Sequence, residues 1–501
     1  MNTPPIVPAE PGESSSPPPV RALVRLSGEL STKSRRTRGR FQKRLARNLG
    51  DAFAAEGVSA RVRPGWSRFY IEAPDAGFLD PLARTFGFSS CSLLVGECAA
   101  DLDSIVSHGR ELFAERVRGR RYAVRARRSG THAFSSSDIH VRLGAALNAD
   151  ATVDLSDPDV TVHVEVRDER AYFYHDRIPG PSGLPLGVQG RALALISGGF
   201  DSAVAAWMTL RRGVSLDYVF CNLGGSAYER MVVEVTKVLA DRWSFGTRPR
   251  LYVLDFGPVV DAMRERAKPA YLQLVLKRMM YRASAELAAG IGAEVLVTGE
   301  SIGQVSSQTL TNLAAIDDAS DLPVLRPLLG FHKDEIIERS REIGTYELSA
   351  RVREYCNVAP ERPVTAASRA DAAAQEIAVG RVELDRALAD RRALDLRSLR
   401  PEQVAGAGLY VTDVPPQARV IDARRLAEFE EWHWPGSEHR TLEDLEATFT
   451  DLDRDTTWVL YCEEGIRTAY VAEVMQSAGY EAYSFLGGAP RLRRLGTDPV
   501  R

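Results

Sequence analysis

The stretch Ala192-Leu-Ala-Leu-Ile-Ser-Gly-Gly-Phe-Asp-Ser-Ala-Val-Ala-Ala-Trp207 decides how this chain reads. Its apolar run stops at Ser197-Gly198-Gly199 and a helical pattern begins at Asp201, which spells strand, tight loop and helix. Two adjacent glycines let the backbone approach a ligand closely, while Ser197, Ser202 and the N–H groups of the first helical turn point at whatever anion sits there. The loop is a candidate phosphate cradle. It has no Walker A lysine, and no G-x-x-x-x-G-K-[ST] occurs in the 501 residues, which excludes a P-loop NTPase. A glycine turn with no ligand is the plain alternative.

Downstream, the pattern alternates. Strands are expected at Leu216–Phe220, Arg250–Asp255 and Glu294–Thr298, with helices through Glu229–Trp243 and Leu272–Ala289. Such alternation predicts an α/β domain with a doubly wound parallel sheet whose ligand lies at the carboxyl ends of the strands, where the opening loop falls. Lys277 on the second helix supplies charge suited to a triphosphate, and Lys333 is a second candidate cation. In the run Val297-Thr-Gly-Glu-Ser-Ile-Gly-Gln-Val-Ser-Ser-Gln-Thr309, Gly299 permits close backbone approach and Gln308 suits an adenine edge or a loop clamp.

Upstream, Ile178–Gly187 is rich in Pro and Gly and reads as a linker. The segment before it is basic: residues 1–150 carry 23 Lys/Arg against 15 Asp/Glu, although the whole chain has a net charge of only −3. Charge concentrated in the first third points to a polyanion-binding module, with a merely solvated basic surface as the alternative. Within it, the loop Gly28–Arg40, containing Lys33 and Arg36, leads into a helix and suits phosphate contacts. Cations alternate along Arg120–Arg128 before a polar loop holding His132, so Arg127, Arg128 and His132 are candidate RNA contacts. The segments between these elements fit a small α+β domain.

Met1–Val20 is Pro/Ser-rich without a signal-peptide core and is expected to be a disordered cytosolic extension. No apolar run nears the roughly 18 residues that span a bilayer, so no membrane partner is expected. The five cysteines, Cys91, Cys98, Cys221, Cys356 and Cys462, are scattered without a C-x-x-C, which argues against structural zinc and a disulfide framework. The histidines show no ligand spacing, and no protein metal site is expected. Residues 366–400, rich in Ala, Arg and Asp, read as a loosely packed helical linker. A last small α/β unit follows, with strands Val420–Asp422, Trp458–Tyr461 and Ala482–Phe485 and a helix from about Thr468 to Ala478.

The hexapeptide Ser197-Gly198-Gly199-Phe200-Asp201-Ser202 resembles the pyrophosphate loop of ATP pyrophosphatases. Together with the Gly299–Thr309 run and Asn312, Glu354-Tyr355-Cys356 and the Arg127–Ser136 loop, it resembles the tRNA 4-thiouridine synthases, or tRNA uracil 4-sulfurtransferases. The resemblance covers nearly the whole chain after residue 20. It implies an α/β multidomain architecture: a disordered extension (1–20), a ferredoxin-like α+β domain (21–75), a THUMP RNA-binding domain (76–178), a PP-loop ATP pyrophosphatase domain (188–365), a linker (366–405) and a rhodanese domain (406–501). It further implies that Leu195, Ile196, Ser197, Gly198, Gly199, Ser202, Lys277, Gly299 and Gln308 bind ATP, with Mg2+ neutralising the phosphates, and that Asp201 and Lys333 assist adenylation. Attachment of AMP turns the uridine O4 into a good leaving group for a sulfur nucleophile; the family places this uridine at tRNA position 8.

The sulfur would ride on Cys462, which ends a strand and begins Cys462-Glu-Glu-Gly-Ile-Arg-Thr468, where loop N–H groups, a helix N-terminus and Arg467 favour a thiolate or persulfide. Glu463 and Glu464 oppose that. Around it, Val420–Arg424, Trp432–Ser437 and Leu486-Gly-Gly488 resemble a rhodanese. By the resemblance, Cys356 resolves the persulfide through a disulfide. The implied partners are tRNA, a cysteine desulfurase as sulfur donor, a second copy of the chain and, where thiazole synthesis is served, a thiamine sulfur-carrier protein; the implied location is cytoplasmic. Two other readings remain open at this level: a sulfur carrier alone, and an RNA-binding protein with an inactive or regulatory ATP domain.

Overall fold

The computed structural model describes residues 18–223, 225–352, 362–400, 409–463 and 466–496. They form two compact units, one of residues up to Gly190 with Leu210–Ser215 and Arg242–Thr247, the other of the remainder.

The first unit holds two five-stranded sheets. One is antiparallel throughout, in the spatial order Ile178–Pro179, Phe88–Leu93, Val20–Leu26, Arg68–Ala73, Arg61–Pro64. The helix Arg35–Ala55 buries Phe41, Leu45, Leu49 and Phe53, a period of three to four residues that lays one stripe on the core. Phe88–Leu93 completes this sheet, so it runs past residue 75, where the sequence reading divides the first two domains. The Pro/Gly segment after Tyr174 is also pinned here: Ile178 and Pro179 pair with Cys91 and Ser90 at the sheet edge, a position where a proline's missing N–H is tolerated.

The second sheet runs Gly96–Ala99, Arg170–Tyr174, Val160–Arg167, Arg121–Ser129, Thr152–Val153, with the last three strands parallel to one another and the first two pairings antiparallel. The helix Leu102–Val117 packs with Ser136–Leu147 over this sheet. A carboxylate stitches the two sheets together. Glu165, 1 % exposed, accepts from Arg25 at 3.1 Å, Arg68 at 2.8 Å and Arg167 at 2.9 Å. Burial alone raises its pKa, but the three guanidiniums outweigh that and hold it below the usual range.

In the second unit the six-stranded sheet has the order Val324–Leu325, Val295–Val297, Arg191–Leu195, Ser215–Asn222, Arg250–Asp255, Arg392–Asp395. Val295–Val297 runs parallel to both Val324–Leu325 and Arg191–Leu195, and Ser215–Asn222 runs parallel to Arg250–Asp255, against which Arg392–Asp395 returns antiparallel. The segment expected as a loosely packed helical linker is helical but not loose: Arg369–Val379 and Val382–Ala389 are helices that bury Ala372, Val379, Leu384 and Ala387 against the domain, and Arg392–Asp395 adds its edge strand. Small apolar residues suffice because an ion pair does the fastening. Glu376 binds Arg278, itself 1 % exposed, through Nε at 2.8 Å, and also Arg282.

The final domain is a five-stranded parallel sheet ordered Tyr410–Val411, Ala482–Phe485, Trp458–Tyr461, Arg419–Asp422, Glu438–His439. Its helix spans Ile466–Ser477.

Candidate active site

The strand Arg191–Leu195 leads through Ile196 into the glycine loop, and the helix Phe200–Arg211 leaves it. Gly198 turns the chain at φ +79°, a conformation that favours glycine. Ser202 braces the loop from within, its Oγ donating to the Gly199 carbonyl at 3.0 Å and accepting from the Ser197 N–H at 3.2 Å. Tyr228 ties it from outside, donating to the Ser197 carbonyl at 3.0 Å. The serines thus shape the cradle as well as face it.

Asp201 and Lys333, 132 positions apart in sequence, meet here. Lys333 Nζ lies 2.8 and 3.0 Å from the two carboxylate oxygens, and Gln304 donates to Asp201 at 2.9 Å. Lys333 also sits 5.5 Å from the Phe200 ring. Gly299 is needed for a reason the sequence reading did not identify: a Cβ there would stand 2.6 Å from Asp201 C and Ser202 N. Its backbone presses on the loop's own first helical turn.

Lys277 pairs with Glu300, which is 5 % exposed, at 2.8 Å. Glu300 also accepts from Tyr281 at 2.5 Å, Arg326 at 2.9 Å and Thr298 at 3.2 Å. Burial raises its pKa, yet the Lys277 charge and these hydrogen bonds prevail and bring it down to about 2. Arg326 is held in turn by Asp317. Glu300 and Arg326 are site residues that sequence reasoning missed; the only available signal was an acidic residue directly after Gly299. Gln308 is 8 % exposed, and its buried Oε1 has no hydrogen-bond partner among the described residues. Asn312, fully buried, ties Ser306 and Val364 carbonyls at 2.9 and 2.8 Å and thereby holds the loop that carries Gln308.

Cys462 is 1 % exposed at the end of the strand Trp458–Tyr461. Thr468 Oγ1 reaches its Sγ at 3.6 Å, and the Ala489 N–H donates to its carbonyl at 3.0 Å. Beside it, Asp422 is fully buried between Arg424 at 2.7 Å and Tyr461 at 2.6 Å; burial and this bond push the Tyr461 hydroxyl up to about 12. Glu463 faces Arg424 at 3.7 Å, which offsets the negative charge it brings to the cysteine loop. Cys356 and Glu464 lie outside the described residues, as does the Arg467 side chain.

On the basic module, Lys33 is exposed and Arg36 lies on the first turn of Arg35–Ala55. Trp66, 62 % exposed, carries Arg38 at 3.7 Å over its ring, an aromatic–cation surface that the sequence reading passed over. Arg127 and Arg128 are exposed on Arg121–Ser129. His132 has structural partners: Nε2 meets the Asp168 carbonyl at 2.6 Å and Nδ1 meets Arg128 at 3.3 Å. Among the described residues no group of three or more His, Cys, Asp or Glu is placed to hold a metal, and no helix is long and apolar enough to cross a membrane.

A glycine loop at a sheet's carboxyl end with a carboxylate–lysine pair on it, joined to a rhodanese-type cysteine and a basic RNA-type module, defines a multidomain group-transfer enzyme. The comparisons agree domain by domain: family models match at 21–92 (ThiI ferredoxin-like domain), 99–176 (THUMP domain), 187–379 (Thiamine biosynthesis protein, ThiI) and 412–492 (Rhodanese-like domain). A tRNA sulfurtransferase of Pyrobaculum aerophilum is 39 % identical over 91 % of this chain and 95 % of its own length. One from Pectobacterium carotovorum is 34 % identical over 92 % and 98 %. The crystal structure of a 4-thiouridine synthetase–RNA complex with bound ATP matches at a TM-score of 0.66 and 30 % identity, covering 75 % of this chain and 99 % of that one. The chain belongs to the tRNA sulfurtransferase family.

Proposed function

We propose that the protein is an ATP-dependent tRNA sulfurtransferase that converts a tRNA uridine, at position 8, to 4-thiouridine. The uridine O4 attacks the α-phosphorus of ATP and pyrophosphate leaves. The terminal sulfur of a Cys462 persulfide then attacks C4, AMP departs, and the Cys356 thiolate attacks the Cys462 sulfur to free the product and leave a Cys356–Cys462 disulfide, which a dithiol reductant reopens.

The observation that carries this reading is the Asp201–Lys333 pair on the Gly198–Gly199 loop. Lys333 can pass from Asp201 to a phosphate as ATP enters, and Asp201 is then free to orient the attacking oxygen or a phosphate-bound Mg2+. No protein metal cluster is required, since Mg2+ can arrive on the phosphates. The orphaned Gln308 Oε1 suits the adenine amino group, and Lys277, steadied by Glu300, suits the phosphates. Lys33, Arg36, Arg127 and Arg128 would hold the RNA backbone, while His132 would shape the adjoining loop. A cysteine desulfurase supplies the persulfide, and the setting is cytoplasmic. The sulfur on Cys462 can also pass to a carrier protein for thiazole synthesis.

The test is pyrophosphate release by the purified chain with ATP, with and without unmodified tRNA. Release that requires tRNA supports the reading; none would favour a binding protein with an inactive ATP domain.

A further inference from the structure

One cation beside the glycine loop lies outside every role given above. Arg351 follows the short helix Tyr346–Ser349, and its N–H donates to the Leu348 carbonyl at 3.2 Å. Its Nη1 and Nη2 are both buried, and among the described residues neither has a hydrogen-bond partner. A guanidinium cannot shed its proton to escape that cost, so a buried unpaired one calls for an anion.

Two contacts place this segment against the loop. The next residue, Val352, puts Cγ2 3.2 Å from where a Cβ on Gly198 would stand. The Tyr346 ring lies 5.5 Å from that of Phe200, on the first turn of the loop's helix. The three cations already assigned to the site have carboxylates: Lys333 has Asp201, Lys277 and Arg326 have Glu300. Arginine's planar fork presents paired N–H donors that match two oxygens of a phosphate group.

We propose that Arg351 is a further ligand of the nucleotide site, binding the pyrophosphate portion of ATP. This rests on the ATP reading above and deepens it. When the bond between the α-phosphorus and the bridging oxygen breaks, the electron pair goes to pyrophosphate, and a guanidinium fork there stabilises the added charge. The proximity to Gly198 favours the nucleotide over an RNA backbone phosphate as the anion.

The test is calorimetric titration of the full-length protein, wild type, Arg351→Gln and Arg351→Lys, with inorganic pyrophosphate and separately with AMP, alongside tRNA binding. The proposal expects Arg351→Gln to weaken pyrophosphate by roughly 10- to 100-fold, as losing a charge-assisted bond does, with AMP changed less than twofold. Arg351→Lys, which keeps the charge but loses the fork, should recover only part of the loss. Unchanged pyrophosphate affinity in Arg351→Gln would overturn it, as would equal losses for AMP and pyrophosphate, which mark a merely structural role, or a loss confined to tRNA. A wild type that binds neither AMP nor pyrophosphate would instead sink the nucleotide reading itself.

Discussion

Replacing Gly299 with alanine separates two reasons for the glycine: room for a ligand, or room for the loop's own helix. The added Cβ would stand 2.6 Å from Asp201 C and Ser202 N, where ordinary contact begins at 3.4 Å. Both are main-chain atoms, so no side chain can swing away, and the loop must move by about 0.8 Å relative to the strand end. That displacement carries Asp201 off Lys333 and reshapes the cradle braced by Ser202. Misplacement on the order of 1 Å costs about a hundredfold in rate when reacting groups must be aligned, and overpacking of this kind costs about 1–3 kcal/mol in stability. The assay is tRNA-dependent pyrophosphate release, with a thermal melt on the same sample. We expect kcat to fall by about a hundredfold, with a small drop in Tm. A normal kcat with a raised KM for ATP would refute the reasoning and make Gly299 a ligand-contact residue.

Glu300 carries a pH signature. Its pKa is depressed from 4.5 to about 2, so the stability it contributes is fully present above pH 4.5 and is lost as pH falls toward 2. The gap in Tm between wild type and Glu300→Gln should therefore be constant from pH 7 to 5 and narrow below 4.5; a gap that widens on acidification would be contrary to this. Glu300→Gln should also raise KM for ATP through the freed Lys277, read by steady-state kinetics. Glu376→Ala leaves buried Arg278 with only the more distant Asp318 carboxylate at 3.7 Å and should destabilise the chain by about 3 kcal/mol, measured as a shift in urea midpoint, whereas a shift worth under about 1 kcal/mol would mean the helix Arg369–Val379 is held by apolar contacts alone.

Much of the middle and last domains was legible because periodicity there is strong and uninterrupted. Arg250–Asp255, Trp458–Tyr461 and Ala482–Phe485 fall where the apolar runs put them. The helices of the 366–400 segment were legible, but their packing was not, since alanines bury little area and what fastens them is the Glu376 pairing with Arg278, nearly a hundred positions away. Separation in sequence also hid the groups behind the site. Nothing local to Glu300 announces that Lys277, Tyr281 and Arg326 converge on it, and nothing local to Arg351 announces that Val352 rests on Gly198. Gly299 was singled out for close approach to a ligand, and what the structure brings close to it is the chain itself. His132, singled out among basic residues, has its ring nitrogens occupied by Asp168 and Arg128.

The central claim joins activation at the glycine loop to sulfur delivered from Cys462. It is tested most directly by mass spectrometry of tRNA nucleosides from cells lacking this protein, complemented either with the wild type or with Cys462→Ala. The account predicts 4-thiouridine with the wild type and none with Cys462→Ala, although that variant still binds ATP and tRNA. Persistence of 4-thiouridine with Cys462→Ala would contradict it.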